Sequence, residues 1–361
     1  MASLTSNSIL DPLHRIRADS PNDIEDEREH LWWNTNADLI EIIWANDDEI
    51  RRLLRTPYLI KARNFLTENG FHTAIIFEIG SGSGWVGRLI IQGTQSRLFG
   101  IDLSEAQVDI AQTNAKDENL SAQCTYICAN LSDAALHIKE QGVINGLVIH
   151  AILHHLTWSE INQILSDSVR LGQGAKLFAY EPVFFRKSRG ESVRGNIFSG
   201  LSRMMAVSCS LCALIIMRLF GRLFSVDRDL NILDRLDRVT KEAVENQFVL
   251  SPKEVVFDHR ELIETLDRYY TVKKSYLCNY LDTNAAVMAS ILQKPSRVRW
   301  VFLKVFLPIL KALDRWLVSS GAIYNLCSGE SRGRVIDNFF PRYCFWGVEC
   351  LPKLDGETNN D

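Results

Sequence analysis

The strongest constraint on this 361-residue chain is the stretch Phe77-Glu78-Ile79-Gly80-Ser81-Gly82-Ser83-Gly84-Trp85, where an apolar, strand-like run passes through alternating glycines into an amphipathic segment. Glycine reaches positive φ without steric cost, and with no Cβ it lets the backbone approach another group closely. A strand that enters such a turn and leaves it as a helix aims unpaired N–H groups and the positive end of a helix dipole at one spot. The turn therefore predicts a β-α unit built around a ligand with an anionic group.

The unit repeats. Short apolar runs at 74–79, 97–101, 124–129, 146–150 and 176–181 alternate with amphipathic stretches, the βαβα rhythm of a parallel sheet covered on both faces. Two helix starts are legible from capping-box spacing, Ser104 with Gln107 and Thr157 with Glu160. After Glu181-Pro182 the rhythm breaks, then returns as a helix over 259–269, a strand over 271–281 and a final strand over 343–351. The expected fold is α/β: a Rossmann-like seven-stranded, mostly parallel sheet with helices on both faces and its last strand antiparallel. A helical cap over 1–70 precedes a ligand-binding core over 71–185. Helical insertions over 186–256 and 286–340 flank a core continuation over 257–285, and 341–361 holds the last strand and tail.

Composition narrows the function. With 46% hydrophobic and 23% charged residues the chain can bury a large core, and its net charge of -4 supplies no basic field for steering onto nucleic acid. A small-molecule acceptor is the expected partner. The polar, acidic start from Met1 to Asp26 lacks the basic and apolar regions of a signal peptide, which predicts a cytoplasmic protein. Eight cysteines scattered through apolar segments read as buried reduced thiols, and Cys209-x-x-Cys212 lacks partners for a zinc site, so no metal is expected. The apolar run 204–217 is shorter than the roughly 20 residues that span a bilayer. In 297–318 Trp300, Phe302, Val305, Phe306, Leu310 and Trp316 alternate with Arg299, Lys304, Lys311 and Arg315, which reads first as a substrate lid or homodimer surface. Peripheral membrane contact is the competing reading.

Asp102 ends the second strand, 22 residues after Gly80, where a carboxylate can accept both ribose hydroxyls of a nucleoside. Dinucleotide enzymes share that feature. Counted from Gly80, however, the turn runs G-x-G-x-G with Trp85 where a dinucleotide fingerprint needs its third glycine, and Glu78 precedes it. The arrangement resembles the class I methyltransferases that use S-adenosylmethionine (SAM). The resemblance implies that Glu78 orients the glycine loop and the methionyl amine. Gly80, Gly82 and Gly84 would make room for the methionine portion, with Ser81 and Trp85 also in the cofactor-binding turn; Asp102 would hold the ribose and Leu103 would pack on adenine. Asn130 and Leu131 follow the third strand, where the family often places an acidic or amide side chain against the adenine amine.

The fourth strand ends in His150-Ala151-Ile152-Leu153-His154-His155-Leu156, similar to the family's segment beneath the sulfonium. His150 is then expected nearest the methyl, and His150, His154 and Tyr180 are the candidate catalytic side chains, with Glu181 also titratable near the strand ends. For His154 and His155 the competing reading is structural, holding the loop against the next helix. The Trp-rich stretch with Trp32, Trp33 and Trp44 is expected to serve as a lid or simply to pack the cap. The implied reaction is in-line methyl transfer to an O, N or C atom of a small molecule, yielding S-adenosylhomocysteine. Three alternatives share the cofactor: an intramolecular cyclase releasing methylthioadenosine, a membrane-associated lipid or quinone methyltransferase, and a SAM-binding protein without activity.

Overall fold

A computed structural model describes residues 30–31, 33–34, 55–67, 73–130, 134–141, 143–171, 174–185, 256–279, 300–319, 323, 327 and 344–353. Leu131, Trp32, Trp44, the Cys209/Cys212 pair and the apolar run 204–217 lie outside them, and with them most of both expected insertions.

The elements, in chain order, are α1 (55–66), β1 (Ile75–Ile79), α2 (Trp85–Ile91), β2 (Arg97–Asp102), α3 (Glu105–Asp117), β3 (Cys124–Cys128), α4 (Ala134–Gln141), β4 (Gly146–His150), α5 (Trp158–Leu171), β5 (Lys176–Phe184), β6 (Phe257–Asp258), α6 (His259–Tyr269), β7 (Tyr270–Asn279), α7 (Leu307–Ser319) and β8 (Cys344–Pro352). A 3-10 turn, Leu153–His155, follows β4, and a π-helical turn, Phe302–Phe306, leads into α7. The sheet order is β3-β2-β1-β4-β5-β8-β7. Strands β1 to β5 pair in parallel, and β8 enters antiparallel between β5 and β7.

The sheet is buried on both faces, which is why β1 and β4 are apolar apart from Glu78 and the terminal His150. On one face Phe77, Ile79, Leu147, Ile149, Leu177 and Ala179 pack with Ile138 of α4, Ile161 and Leu165 of α5, and Leu262 and Leu266 of α6. On the other, Ile76, Val148 and Phe178 meet Leu59 and Leu66 of α1, Ile90 of α2 and Val108 of α3. Removing one such side chain, for instance by Ile149→Ala, costs about 2–5 kcal/mol through lost burial and the cavity left behind.

Three details differ from the expectations. An eighth strand, the two-residue β6, pairs with Val183 and Phe184 at the end of β5. Strand β5 runs on to Phe184, so Glu181-Pro182 lies inside it, paired with Trp346 and Phe345 of β8. Pro182 is tolerated there because the β4 ladder has already stopped at the His150–Tyr180 pair, leaving no partner on that edge for the missing N–H. The box at Ser104 is only half formed. Ser104 Oγ accepts from Gln107 N, but the Ser104 amide donates to Asp102 Oδ1. At Thr157 both halves form, with Thr157 N donating to Glu160 Oε2 at 2.7 Å and Glu160 N to Thr157 Oγ1 at 3.3 Å.

Candidate cofactor and catalytic site

Strand order reverses between β1, whose other neighbour is β2, and β4, whose other neighbour is β5. In open α/β sheets the crevice at the carboxyl ends of such strands is where ligands bind, because the connections leave it in opposite directions. The glycine turn follows β1 and the His-rich segment follows β4, so the topology brings both predicted motifs to that crevice.

Gly80, Gly82 and Gly84 all adopt positive φ, at 64°, 50° and 72°. Their surroundings differ. A Cβ on Gly80 would collide with Ile152, and one on Gly84 with the Tyr126 ring, so these two glycines make room for protein neighbours. A Cβ on Gly82 would meet only Gln107 Oε1 among the described residues, at an ordinary contact distance of 3.7 Å. Of the three, only Gly82 is not crowded by a described protein neighbour.

Asp102 spans the floor, accepting from Gly82 N at 2.7 Å through Oδ2 and from Ser104 N at 2.9 Å through Oδ1. Burial pushes its pKa up, while these two amides pull it back toward the charged form. Glu78 is deeper, 1% exposed. Burial raises its pKa from 4.5 to about 8 against the opposing pull of Arg88. Arg88, itself buried, donates to Ser83 O at 2.7 Å and to Glu118 Oε2 at 3.1 Å, clamping the turn from below. Three buried polar atoms in this neighbourhood, Glu78 Oε2, Ser81 Oγ and Gln107 Nε2, have no hydrogen-bond partner among the described residues. Unpaired polar atoms are costly to bury, so such a cluster fits a site completed by a polar ligand. Ser81 turns its hydroxyl over Gly100, so its contribution lies beneath the turn.

Leu103 is half-buried beside Asp102, and Asn130 is exposed just beyond β3. Trp85 opens α2 with its ring edge-on to His150, centroids 5.7 Å apart. His150 stacks on Tyr180 at 4.9 Å, and Tyr180 stacks on Phe345 at 5.1 Å. Arg55 of α1 reaches this ladder with NH1 3.3 Å from His150 Nε2 and its guanidinium over the Tyr180 and Phe345 rings. Ala151, immediately after β4, holds φ at 55°, an unusual state for a residue with a Cβ. His154 Nδ1 lies 2.9 Å from Glu181 Oε2, and its ring leans on His155. Trp33 sets its ring edge-on to His155 at 5.3 Å, while Asn34 Oδ1 accepts from Ser104 Oγ at 2.8 Å. The segment with Trp33 and Asn34 is thus strapped from the start of α3 to the turn after β4.

Several of these residues are absent from the sequence expectations. Arg55 and Asn34 reach the site across separations of 95 and 70 residues, which no local pattern encodes. Gly87 was legible: Gly82-Ser83-Gly84-Trp85-Val86-Gly87 is itself a G-x-G-x-x-G, two residues beyond the register read from Gly80. Its missing Cβ lets α2 pack against Glu78 and Leu98. Glycine spacing alone therefore does not separate this turn from a dinucleotide site.

Residues 76–172 match the family model described as a methyltransferase domain. Residues 76–172 thus carry a methyltransferase domain. That domain spans β1 through α5 and includes the residues gathered around the glycine turn. No curated protein matches the sequence. Similar solved structures include magnesium protoporphyrin IX methyltransferase from Synechocystis PCC 6803, 12% identical, covering 91% of this chain and 100% of that one with a TM-score of 0.45. Geranyl diphosphate C-methyltransferase from Streptomyces coelicolor A3(2) is 10% identical over 87% and 84%, with a TM-score of 0.44. The cyclopropane synthase MmaA2 from Mycobacterium tuberculosis is 11% identical over 81% and 84%, at 0.43. At these scores the likenesses carry no weight for substrate or fold; the fold rests on the strand order itself.

Proposed function

We propose that this chain transfers the methyl group of SAM to a small molecule, with the cofactor laid across the carboxyl ends of β1, β2 and β4. The observation that supports it best is the uncrowded Gly82, its amide held by Asp102 and with Gln107 beside it, at the switch point of a methyltransferase domain. Glu78 faces the methionyl amine, Asp102 the ribose hydroxyls, and Leu103 with Asn130 the adenine; Leu131, outside the described residues, belongs with them on sequence grounds. When bound, SAM supplies an electrophilic methyl on a positively charged sulfur. The chain's own residues then have to orient the acceptor, exclude water and handle any proton. The ladder of Trp85, His150, Tyr180 and Phe345 offers aromatic faces and edges beside that charge. The strap carrying Trp33 and Asn34 covers the crevice.

Asp102→Ala tests the placement. Losing hydrogen bonds to a charged acceptor, worth about 1.5–3 kcal/mol, raises the Kd for SAM roughly 10- to 100-fold in a calorimetric titration. An unchanged affinity would place the cofactor elsewhere.

A second reading concerns the surface. The stretch from the π-helical turn through α7 buries Phe302, Leu307 and Leu317 but exposes Trp300, Val305, Ile309 and Trp316 beside Lys304 and Arg315. Such a stripe suits a homodimer or a peripheral contact with lipid. Among the described residues no helix is long and apolar enough to cross a membrane. Sedimentation with and without anionic vesicles separates the two.

A further inference from the structure

The geometry points to His154, held by Glu181, as the general base of the proposed transfer, and to an acceptor whose attacking oxygen or nitrogen carries a proton. This rests on the methyl-transfer reading above. Glu181 is fully buried on β5. Its Oε1 accepts from Ile152 N at 3.0 Å and Leu153 N at 2.9 Å, which is enough to pin the turn after β4. Its Oε2 is left for His154 Nδ1, at 2.9 Å.

A carboxylate only accepts, so this bond places the hydrogen of the neutral imidazole on Nδ1 and a free lone pair on Nε2. Among the described residues no hydrogen bond to Nε2 is found. The same carboxylate stabilises the imidazolium once Nε2 takes a proton, the role an acidic partner plays for histidine in acyl-transfer triads. The turn that carries His154 lies in the crevice, with Ile152 packed over Gly80 and His155 meeting Trp33 of the strap. The titratable groups around it are Glu181 from β5 and His155 on its own turn, with Asp102 of β2 near enough to feel the charge of His155.

His150 is placed differently. Its Nε2 faces Arg55 NH1 at 3.3 Å, and a guanidinium can only donate, so the lone pair that a base would use is already engaged. That leaves His150 a hydrogen-bond donor through Nδ1. In the step itself the acceptor's O–H or N–H proton passes to His154 Nε2. The freed electron pair forms the new bond to the methyl carbon, and the carbon–sulfur bond breaks with its pair going to sulfur. The sulfonium charge ends as a proton on His154, released to solvent.

The test uses the full chain with SAM and a metabolite extract, following the initial rate of S-adenosylhomocysteine formation. His154→Asn keeps a donor toward Glu181 but cannot take a proton. It is expected to bind SAM within about twofold of wild type yet turn over about 10²- to 10⁴-fold more slowly. The traced product is expected to carry its methyl on oxygen or nitrogen. Undiminished turnover in His154→Asn, or a methyl group on carbon, overturns the assignment alone. Wild-type protein that binds SAM but forms no S-adenosylhomocysteine overturns both this assignment and the reading beneath it.

Discussion

Glu78 shows how one buried group couples the fold to its ligand. Its folded pKa of about 8 lies far above the ordinary carboxylate value, so the folded chain without ligand holds a proton there at neutral pH. The unfolded chain does not. The stability that Glu78 contributes is therefore fully present below about pH 4.5 and is lost as pH rises through about 8, a change on the order of a few kcal/mol. Urea unfolding across that window should show wild-type stability declining relative to Glu78→Gln, which lacks the titration. If Glu78 faces the methionyl ammonium, cofactor binding also expels the proton. Calorimetry in buffers of different ionisation enthalpy should then detect release of up to about one proton near pH 7, and none in Glu78→Gln. Glu78 and Asp102 were legible because each sits at the end of a strand that periodicity had already marked. Arg88 was not, since an arginine one turn into an amphipathic helix ordinarily points to water, and only the packing of α2 on β1 turns it inward.

Elements were legible where a local signal exists. The positions of the core strands came from runs of apolar residues, although β5 runs three residues past its expected end, and the full capping box at Thr157 came from spacing alone. Contacts between distant elements carry no such signal, which is why the strap could be expected as a lid while Asn34 could not be named. Its attachment makes a specific prediction. Asn34→Ala removes the acceptor for Ser104 Oγ, and Trp33→Ala removes the ring that meets His155. Each should weaken SAM binding by about 1 kcal/mol, or roughly fivefold in Kd by calorimetry, with little change in the melting of the core. Equal affinity in the double variant would mean that the strap packs against the domain without covering the cofactor.

At the scale of the whole molecule, the sheet order decides where chemistry can occur. The reversal between β1 and β4 opens one crevice, and the glycine turn, Asp102, the His-rich turn and the strap all converge on it. The parallel half was legible because its βαβ units are short and each is locally signalled. The eighth strand, only two residues long, was not, because nothing in Phe257-Asp258 distinguishes it from a helix cap, a role Asp258 also fills by accepting from Arg260 N. The acceptor is specified by the walls of that crevice, and the apolar stretches expected to form much of them carry no recognisable pattern. The most direct test of the central claim is mass spectrometry of the nucleosides formed when the purified chain is incubated with SAM, with and without a metabolite extract. Methyl transfer predicts S-adenosylhomocysteine that appears only with extract, matched mole for mole by a methylated small molecule. Methylthioadenosine formed without extract would contradict it and make SAM itself the substrate.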